Sequence, residues 1–223
     1  MERSQTIILV AGLGFWVLAW LIMGLWPQTM FADVPVQTVE ELAATPHSSF
    51  IDLSQRYPDS FTRHYGEVSP ASYAKALALG KKIYIAEACW HCHSQQIRPV
   101  SNESLRWGPV SRAGEYQNEM HKPQLLGTRR VGPDLSRESG RRSNDWHAAH
   151  FYEPTWVVPT SVMPSYKWFY ETTTDEAGEE VIVPNERGLA LIAYVQWLGS
   201  WIDNEEPNFY NVETYINEGE PSR

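Results

Sequence analysis

Apolar residues dominate the N-terminus of the chain, where the run from Thr6 to Trp26 contains no charged side chain. A helix of these 21 residues is about 30 Å long, which matches the hydrocarbon core of a bilayer. A cleaved signal peptide is the alternative, but its apolar region is only about 7–15 residues long. No small-residue cleavage pattern follows Trp26. We therefore predict that residues 1–30 form a retained, single-pass transmembrane anchor.

The charges that flank this apolar run predict its orientation. Arg3 is the basic residue before it, whereas Asp33, Glu40 and Glu41 follow it and no Lys or Arg occurs until Arg56. Basic residues favour the cytoplasmic side of a membrane. We therefore expect the N-terminus in the cytoplasm and the bulk of the chain on the outer side.

Beyond the anchor, the pattern becomes polar and then helical. Residues 31–68 contain three prolines and few regularly spaced apolar positions, which predicts a polar connecting segment with a short helix near Val39–Ala44. Ser69 and Pro70 are typical of a helix start. From Ala71 to Ala86, apolar or small residues recur at three- and four-residue steps and predict one helical face.

The second half of the chain alternates loops with short helical patterns. Residues 98–134 are rich in Pro and Gly, Ser143–Tyr152 predicts a short helix that Pro154 ends, and residues 171–180 read as a polar loop. Asn185–Trp201 predicts a closing amphipathic helix. There is no internal repeat and no strand-rich region, so we predict a mainly α fold.

The net charge of the chain limits the kinds of macromolecule that it could bind. The formal net charge is −9 at pH 7, and no basic stripe suited to nucleic acid is present. Acidic residues are frequent after Trp201. We interpret residues 203–223 as a solvated acidic tail in preference to a docking face for a basic partner.

The two cysteines of the chain occur in Cys89-Trp90-His91-Cys92-His93. Two thiols three positions apart, followed directly by His, are typical of a covalent c-type haem attachment site. The thiols of Cys89 and Cys92 add to the two vinyl groups of one porphyrin, and His93 becomes an axial iron ligand. The motif predicts one covalent haem c.

Two other readings of these cysteines are weaker. A four-ligand zinc site needs two further ligands at short spacing, and the chain has no second cysteine pair. A redox CxxC motif does not require the following histidine and lies in a βαβ context, which this sequence lacks.

A haem iron of this type takes a second axial ligand. Met163 is our candidate because the following Pro164 rigidifies its loop and denies it a helix. Met120 lacks such a scaffold and lies in a polar run. Three histidines are also candidates, namely His121, His147 and His150.

Helix, CxxCH, long loop, methionine and final helix follow each other here as in class I cytochromes c. This resemblance implies a haem domain over residues 69–202, with the first and last helices crossing. It also implies that the carbonyl of Pro133 accepts the second N–H of His93. Haem propionates need cations or other donors, and among the arginines at positions 98, 129, 130, 141 and 142 we favour Arg130.

The middle of the chain resembles one family more closely, the mono-haem cytochrome c subunit (subunit II) of cbb3-type haem–copper oxidases. The resemblance covers roughly residues 70–170. The sequences that carry it are IYIAEACWHCHSQQIRP at residues 83–99, AGE at 113–115, RVGPDL at 130–135, DWH at 145–147, His150, VVP at 157–159 and SVMPSY at 161–166. The chain departs from the family pattern at Lys122 and Leu126.

This resemblance implies an electron-transfer subunit that is not itself catalytic. It implies electron transfer from a second, di-haem c-type subunit or a soluble cytochrome c to the haem b of a large haem–copper catalytic subunit that reduces oxygen. The setting implied is a bacterial inner membrane with the haem domain in the periplasm. The c-type subunit of a nitric oxide reductase or a divergent haem–copper reductase is the alternative. A haem peroxidase or gas sensor needs an open sixth position, which a fixed Met163 argues against.

Overall fold

A computed structural model of the chain describes residues 3–30, 32, 34–175 and 177–200. The predicted acidic tail, residues 203–223, lies outside the described residues. The chain divides into an N-terminal unit that ends at Val36 and a second unit that begins at Gln37. The predicted fold class is confirmed, since the second unit is mainly α-helical and the first contains a long apolar helix.

The N-terminal unit is built on a 28-residue apolar helix, Arg3–Met30. It consists of α1 (Arg3–Trp20), a π-helical turn (Leu21–Leu25) and α2 (Trp26–Met30). Its large apolar side chains are exposed, as expected for a segment whose solvent is lipid. This helix is long and apolar enough to cross a membrane.

The second unit begins with α3 (Val39–Leu42), α4 (Ser48–Arg56), α5 (Pro58–Tyr65) and α6 (Pro70–Ala86). The short α7 (Cys89–Cys92) and α8 (Glu103–Trp107) follow, and α9 (Asn144–Tyr152) comes after a long irregular stretch. Strands β1 (Tyr170–Thr174) and β2 (Glu180–Pro184) precede the final helix, α10 (Glu186–Trp197). The predicted helices therefore form close to their predicted bounds.

The core of this unit forms where α6 and α10 cross. Gly80 lies at the crossing, where a Cβ atom would stand only 2.2 Å from the Ala190 carbonyl oxygen and 2.5 Å from the Cβ of Tyr194. The absence of a side chain at Gly80 thus lets the two helices approach closely. Tyr84 and Tyr194 pack edge to face beside this point, with ring centroids 5.4 Å apart.

Residues 48–65 correct the prediction that the whole of 31–68 is a connecting segment. Helices α4 and α5 each bury one face in the core, and Phe50 packs on Phe61 and Tyr73 with ring centroids 5.0 and 4.8 Å apart. Leu53 is also fully buried. The apolar positions have helical spacing, but each helix is too short for that pattern to stand out from the surrounding prolines.

Residues 171–180 correct a second prediction. The stretch is not a simple polar loop but contains most of β1 and the first residue of β2, paired antiparallel from Tyr170 opposite Pro184 to Thr174 opposite Glu180. Its residues are mostly exposed or half-buried. Such a hairpin has no strong apolar alternation, which is the usual strand signal.

Candidate haem-binding site

The attachment motif begins with a single helical turn. Cys89 and Cys92 are the ends of α7 and so lie three residues apart on one helix face. Ala88 precedes them with a left-handed backbone (φ 56°), which separates this turn from α6. Cys89 is half-buried, Cys92 is exposed and neither forms a disulfide. Both thiols are therefore available for one ligand beside the turn.

His93 leaves the turn in an extended conformation and is held by the loop opposite. Its Nδ1 lies 2.9 Å from the carbonyl oxygen of Pro133. Since a carbonyl can only accept, Nδ1 carries the proton and Nε2 retains its lone pair. Burial lowers the pKa of His93, although the Pro133 carbonyl opposes that shift. A neutral imidazole with a fixed tautomer and a bare Nε2 is suited to bind a metal ion.

The loop that holds His93 is itself tied to the motif by backbone hydrogen bonds. The amide of Gly132 donates to the carbonyl of Cys92 at 3.1 Å, and that of Leu135 donates to the carbonyl of Ser94 at 2.9 Å. A Cβ atom at position 132 would lie 2.2 Å from Cε1 of His93. Glycine at this position therefore lets the loop close directly against the imidazole.

Buried polar side chains fix the segment that follows the motif. The hydroxyl of Tyr84 donates to the carbonyl of His93 at 3.0 Å, which ties this residue to α6. The amide of Gln95 exchanges hydrogen bonds with the Tyr194 hydroxyl at 2.9 and 3.1 Å, which ties it to α10. These contacts join the histidine to the two helices that form the core.

Asp134 joins the segment that follows the motif to the loop that contacts His93. Its carboxylate is almost fully buried and accepts hydrogen bonds from the hydroxyl of Ser94 (2.5 Å) and from the amides of Gln96 (2.9 Å) and Ser136 (2.8 Å). The sequence placed Asp134 beside Pro133 but gave no sign of this role, because aspartate in a Gly/Pro-rich loop is usually exposed.

The loop that contains Met163 reaches the attachment turn. The hydroxyl of Tyr166, three residues beyond Met163, contacts the thiol of Cys89. Met163 is half-buried against the core, and its amide donates to the Ser161 hydroxyl at 3.2 Å. Helix α9 also comes near, since the pKa of His150 is lowered to about 4 by burial first and then by the charge of His93. The distal ligand thus stays a prediction, with Met163 first.

Three other candidates for the distal ligand lie in surroundings that differ from those of Met163, namely Met120, His121 and His147. Met120 is buried in the core. The His121 ring contacts the amide oxygen of Asn118 at 2.9 Å, and His147 is buried with its Nε2 3.8 Å from Glu138. No group of three or more His, Cys, Asp or Glu side chains in the described part of the chain could hold a metal ion.

Arg130 lies along the same loop and has donor capacity to spare. One terminal nitrogen, Nη2, donates to the carbonyl of Gln96 at 2.6 Å and lies 3.2 Å from the carboxylate of Glu103. The Nε atom is buried and has no hydrogen-bond partner among the described residues. The site thus offers two free thiols, an imidazole nitrogen with a free lone pair, a glycine in close contact with that imidazole, and a guanidinium Nε without a partner. These groups fit a covalently attached haem with acidic substituents.

Comparison with known proteins agrees with this chemistry. A family described as cytochrome C oxidase, mono-heme subunit/FixO matches residues 57–183, more than half of the chain. The matched range includes α5, which the structure places in the core, as well as the attachment motif and Met163. A search of curated proteins gives no match. The chain belongs to the FixO family, the mono-haem subunits of cbb3-type cytochrome c oxidases.

Proposed function

We propose that this chain is a membrane-anchored c-type cytochrome that relays electrons to the haem b-containing catalytic subunit of an oxygen-reducing oxidase. The observation that carries the proposal is the hydrogen bond from His93, the last residue of the CxxCH motif, to the carbonyl of Pro133. It fixes one imidazole in the state that binds iron, beside two free thiols. The family assignment supports an oxidase as the complex, in preference to a nitric oxide reductase.

Each predicted site residue has a separate task in this proposal. Cys89 and Cys92 form thioether bonds to the haem, His93 binds the iron through Nε2, and Met163 is the distal ligand. Arg130 pairs with a propionate through its unsatisfied Nε. A haem bound here supplies a one-electron Fe(III)/Fe(II) couple, and the protein supplies a fixed environment for it.

The iron ligands and the groups around them tune the reduction potential of the haem. A thioether ligand favours ferrous iron and so raises the reduction potential. The carbonyl of Pro133 accepts a hydrogen bond from His93, which makes the imidazole a stronger donor and works in the opposite direction. Since neither ligand leaves a coordination position open for a substrate, the chain carries electrons and does not bind oxygen.

The long N-terminal helix completes the proposal. Arg3–Met30 anchors the protein by a single pass in the bacterial inner membrane. Arg3 at its start, with no Lys or Arg after it until Arg56, favours the periplasm for the haem domain. A second, di-haem c-type subunit or a soluble cytochrome c supplies the electrons. Residues 69–202 form the predicted cytochrome domain, to which α4 and α5 add part of the core.

The test is Met163→His, with Met120→Leu as the matched control, in the intact oxidase complex. The ferric protein should lose the weak sulfur-to-iron band in the first variant, and its potential should fall. Roughly 59 mV corresponds to a tenfold change in a one-electron equilibrium. Turnover with the natural donor should then slow while the donor haem stays reduced.

Met120→Leu keeps an apolar side chain of similar size in the core, so spectrum, potential and turnover should stay close to those of the unmodified protein. If Met163→His leaves the spectrum unchanged, Met163 is not the ligand. If the potential drops but turnover with the natural donor does not, the chain is not on the obligatory electron path.

A further inference from the structure

The stretch from residue 98 to residue 142 is basic on its surface although the whole chain is acidic. It contains eight arginines and Lys122 against five acidic residues. Four of those acids, Glu103, Glu115, Asp134 and Glu138, are buried. Seven of the basic residues are exposed, namely Arg98, Arg106, Arg112, Lys122, Arg129, Arg141 and Arg142. Burial of the acids thus leaves a surface whose exposed charge is almost entirely positive.

Three of these arginines contact the buried Trp107 and a fourth joins them through an ion pair, and we name the four with Trp107 the Trp107 arginine cluster. The guanidinium carbons of Arg106 and Arg130 lie 4.6 and 5.5 Å from the centre of the Trp107 ring. Arg141 donates to the Trp107 carbonyl at 3.4 Å. Arg98 joins through Glu103, which pairs with both Arg98 and Arg130.

The cluster has more positive charge than its own carboxylate can neutralise. Glu103 is the carboxylate that pairs with it, and Arg98 and Arg130 already occupy that group. Arg106 and Arg141 are exposed and make no ion pair with any described residue, although the charge of Arg141 acts on the buried Glu138. Arg130 is the least exposed of the four, with 13% of its side chain accessible. It faces inward, so Arg106 and Arg141 remain for a group from outside the chain.

We propose that the Trp107 arginine cluster docks a carboxylate-rich surface of another subunit of the oxidase complex. Charge complementarity supports this docking, because a chain with a net charge of −9 disfavours acidic partners as a whole, whereas this patch attracts them. Guanidinium forks match carboxylates in bidentate pairs. Leu105, on the same helix α8 and 81% exposed, supplies an apolar contact amid the charges.

The composition of the patch favours a protein over an anionic lipid surface. Arginine and large apolar side chains are enriched at protein interfaces, whereas lysine is depleted there. The stretch contains eight arginines and one lysine. The proposal requires that the chain is an oxidase subunit, which the family assignment provides, and does not depend on the ligands or potential of the haem.

The first test compares charge reversals in the full-length, affinity-tagged chain expressed with its complex. The variants are Arg106→Glu, Arg141→Glu and the double variant. Lys82→Glu is the control because Lys82 is an exposed cation outside the stretch. The amount of the other subunits retained is measured against salt concentration. The double variant should bind them at least about tenfold more weakly, because like charges then face each other.

Haem content and the visible spectrum of each purified variant show whether the domain is intact. A loss of partners with a normal haem spectrum supports the proposal. Retention equal to that of Lys82→Glu at every salt concentration overturns it. Unchanged retention of subunits with loss of bound anionic phospholipid assigns the patch to lipid and also overturns it. None of these readouts depends on electron transfer, so the proposed relay function can fail separately.

The second test uses Arg106→Lys and Arg141→Lys, which keep the charge but introduce amines. A zero-length carbodiimide joins lysine to a carboxylate in contact with it, and mass spectrometry of the intact complex identifies the peptides. We expect links from position 106 or 141 to an acidic peptide of another subunit. Links confined to this chain, whether to Glu103 or to the acidic tail, or no links at these positions while Lys82 or Lys122 reacts, contradict the proposal.

Discussion

Gly132 and His93 are in contact across the loop that closes the haem-binding site. A Cβ atom at position 132 would lie 2.2 Å from Cε1 of the imidazole. In the same turn, the amide of Gly132 is bonded to the carbonyl of Cys92 and the next residue, Pro133, holds Nδ1 of His93. These three contacts together fix the backbone of the Gly132-Pro133 loop and the orientation of the His93 ring.

Gly132→Ala should displace the ring of His93 or the loop that holds it. The backbone of Gly132 is not in the left-handed region, so the effect is steric and acts directly on His93, the proposed proximal ligand. We expect an altered low-spin spectrum, a shifted potential and a hydrogen bond to Pro133 that is lengthened or lost. Optical spectroscopy and redox titration of the purified complex measure these changes.

Gly114→Ala is the matched control because a Cβ atom at Gly114 meets no other atom within 4 Å. Its spectrum and potential should equal those of the unmodified protein. If Gly132→Ala behaves like this control, the close contact between position 132 and His93 does not restrain the ligand.

Features with a local sequence signal were predictable. Ser69 and Ser143 cap α6 and α9 as expected, each accepting from the backbone amide three residues on. Asn185 caps α10. The cap side chain, the first turn and the apolar repeat are all within one short stretch of sequence, so these helices can be identified without knowledge of the partners they pack on.

Features that depend on distant partners were not predictable. Phe50 is buried because Phe61 and Tyr73 surround it, and nothing in residues 48–56 alone reveals that partner. Asp134 and Glu103 are ordinary acidic residues in the sequence. Their burial follows from the chain path that brings Ser94 and Gln96 to one and Arg98 and Arg130 to the other.

Asp134→Asn should weaken the join between the attachment segment and the Gly132-Pro133 loop. The carboxylate accepts three hydrogen bonds, and an amide offers one oxygen and turns an NH₂ group toward at least one donor. Loss of charge-assisted bonds to a buried group costs on the order of 2–4 kcal/mol of unfolding free energy. Denaturant unfolding of the detergent-solubilised chain measures this loss.

Asp59→Asn is the control for this substitution, because Asp59 is exposed in the first turn of α5. It should change the unfolding free energy by less than about 1 kcal/mol. Equal effects of the two substitutions would show that the buried carboxylate of Asp134 contributes no more than a surface charge.

Gly80→Ala should force α6 and α10 apart. The added carbon overlaps backbone of α10 at Ala190, which cannot rotate away as a flexible side chain can. Overpacking of this kind costs about 1–3 kcal/mol or more, and it outweighs the gain of roughly 1 kcal/mol in helix propensity. Lys82→Ala, an exposed site on the same helix, should be almost neutral. Thermal unfolding of both variants tests this, and an increase in stability for Gly80→Ala would contradict a close helix crossing.

His147 should make the folded protein lose stability in mild acid. Burial, followed by the charges of His150 and Arg142, lowers the pKa of His147 to about 3 in the folded state. The unfolded chain protonates the same ring near its ordinary value of about 6.5. Between these two pH values the unfolded state binds a proton that the folded state excludes. Stability is therefore full above about pH 6.5 and falls as the pH drops toward 3.

The expected contribution of His147 is a slope of up to about 1.4 kcal/mol of unfolding free energy per pH unit. Burial also lowers the pKa of His121 to about 3 and that of His150 to about 4, so all three histidines add to the slope of the unmodified protein. His147→Gln removes one titrating ring. Between about pH 6 and 4.5, its unfolding free energy should therefore change less steeply with pH, by up to about 1.4 kcal/mol per pH unit. Unfolding free energies at matched pH values measure this difference. Comparing slopes separates proton uptake from any pH-independent loss of packing in the variant. Parallel curves for the two proteins would mean that His147 is not held neutral by burial.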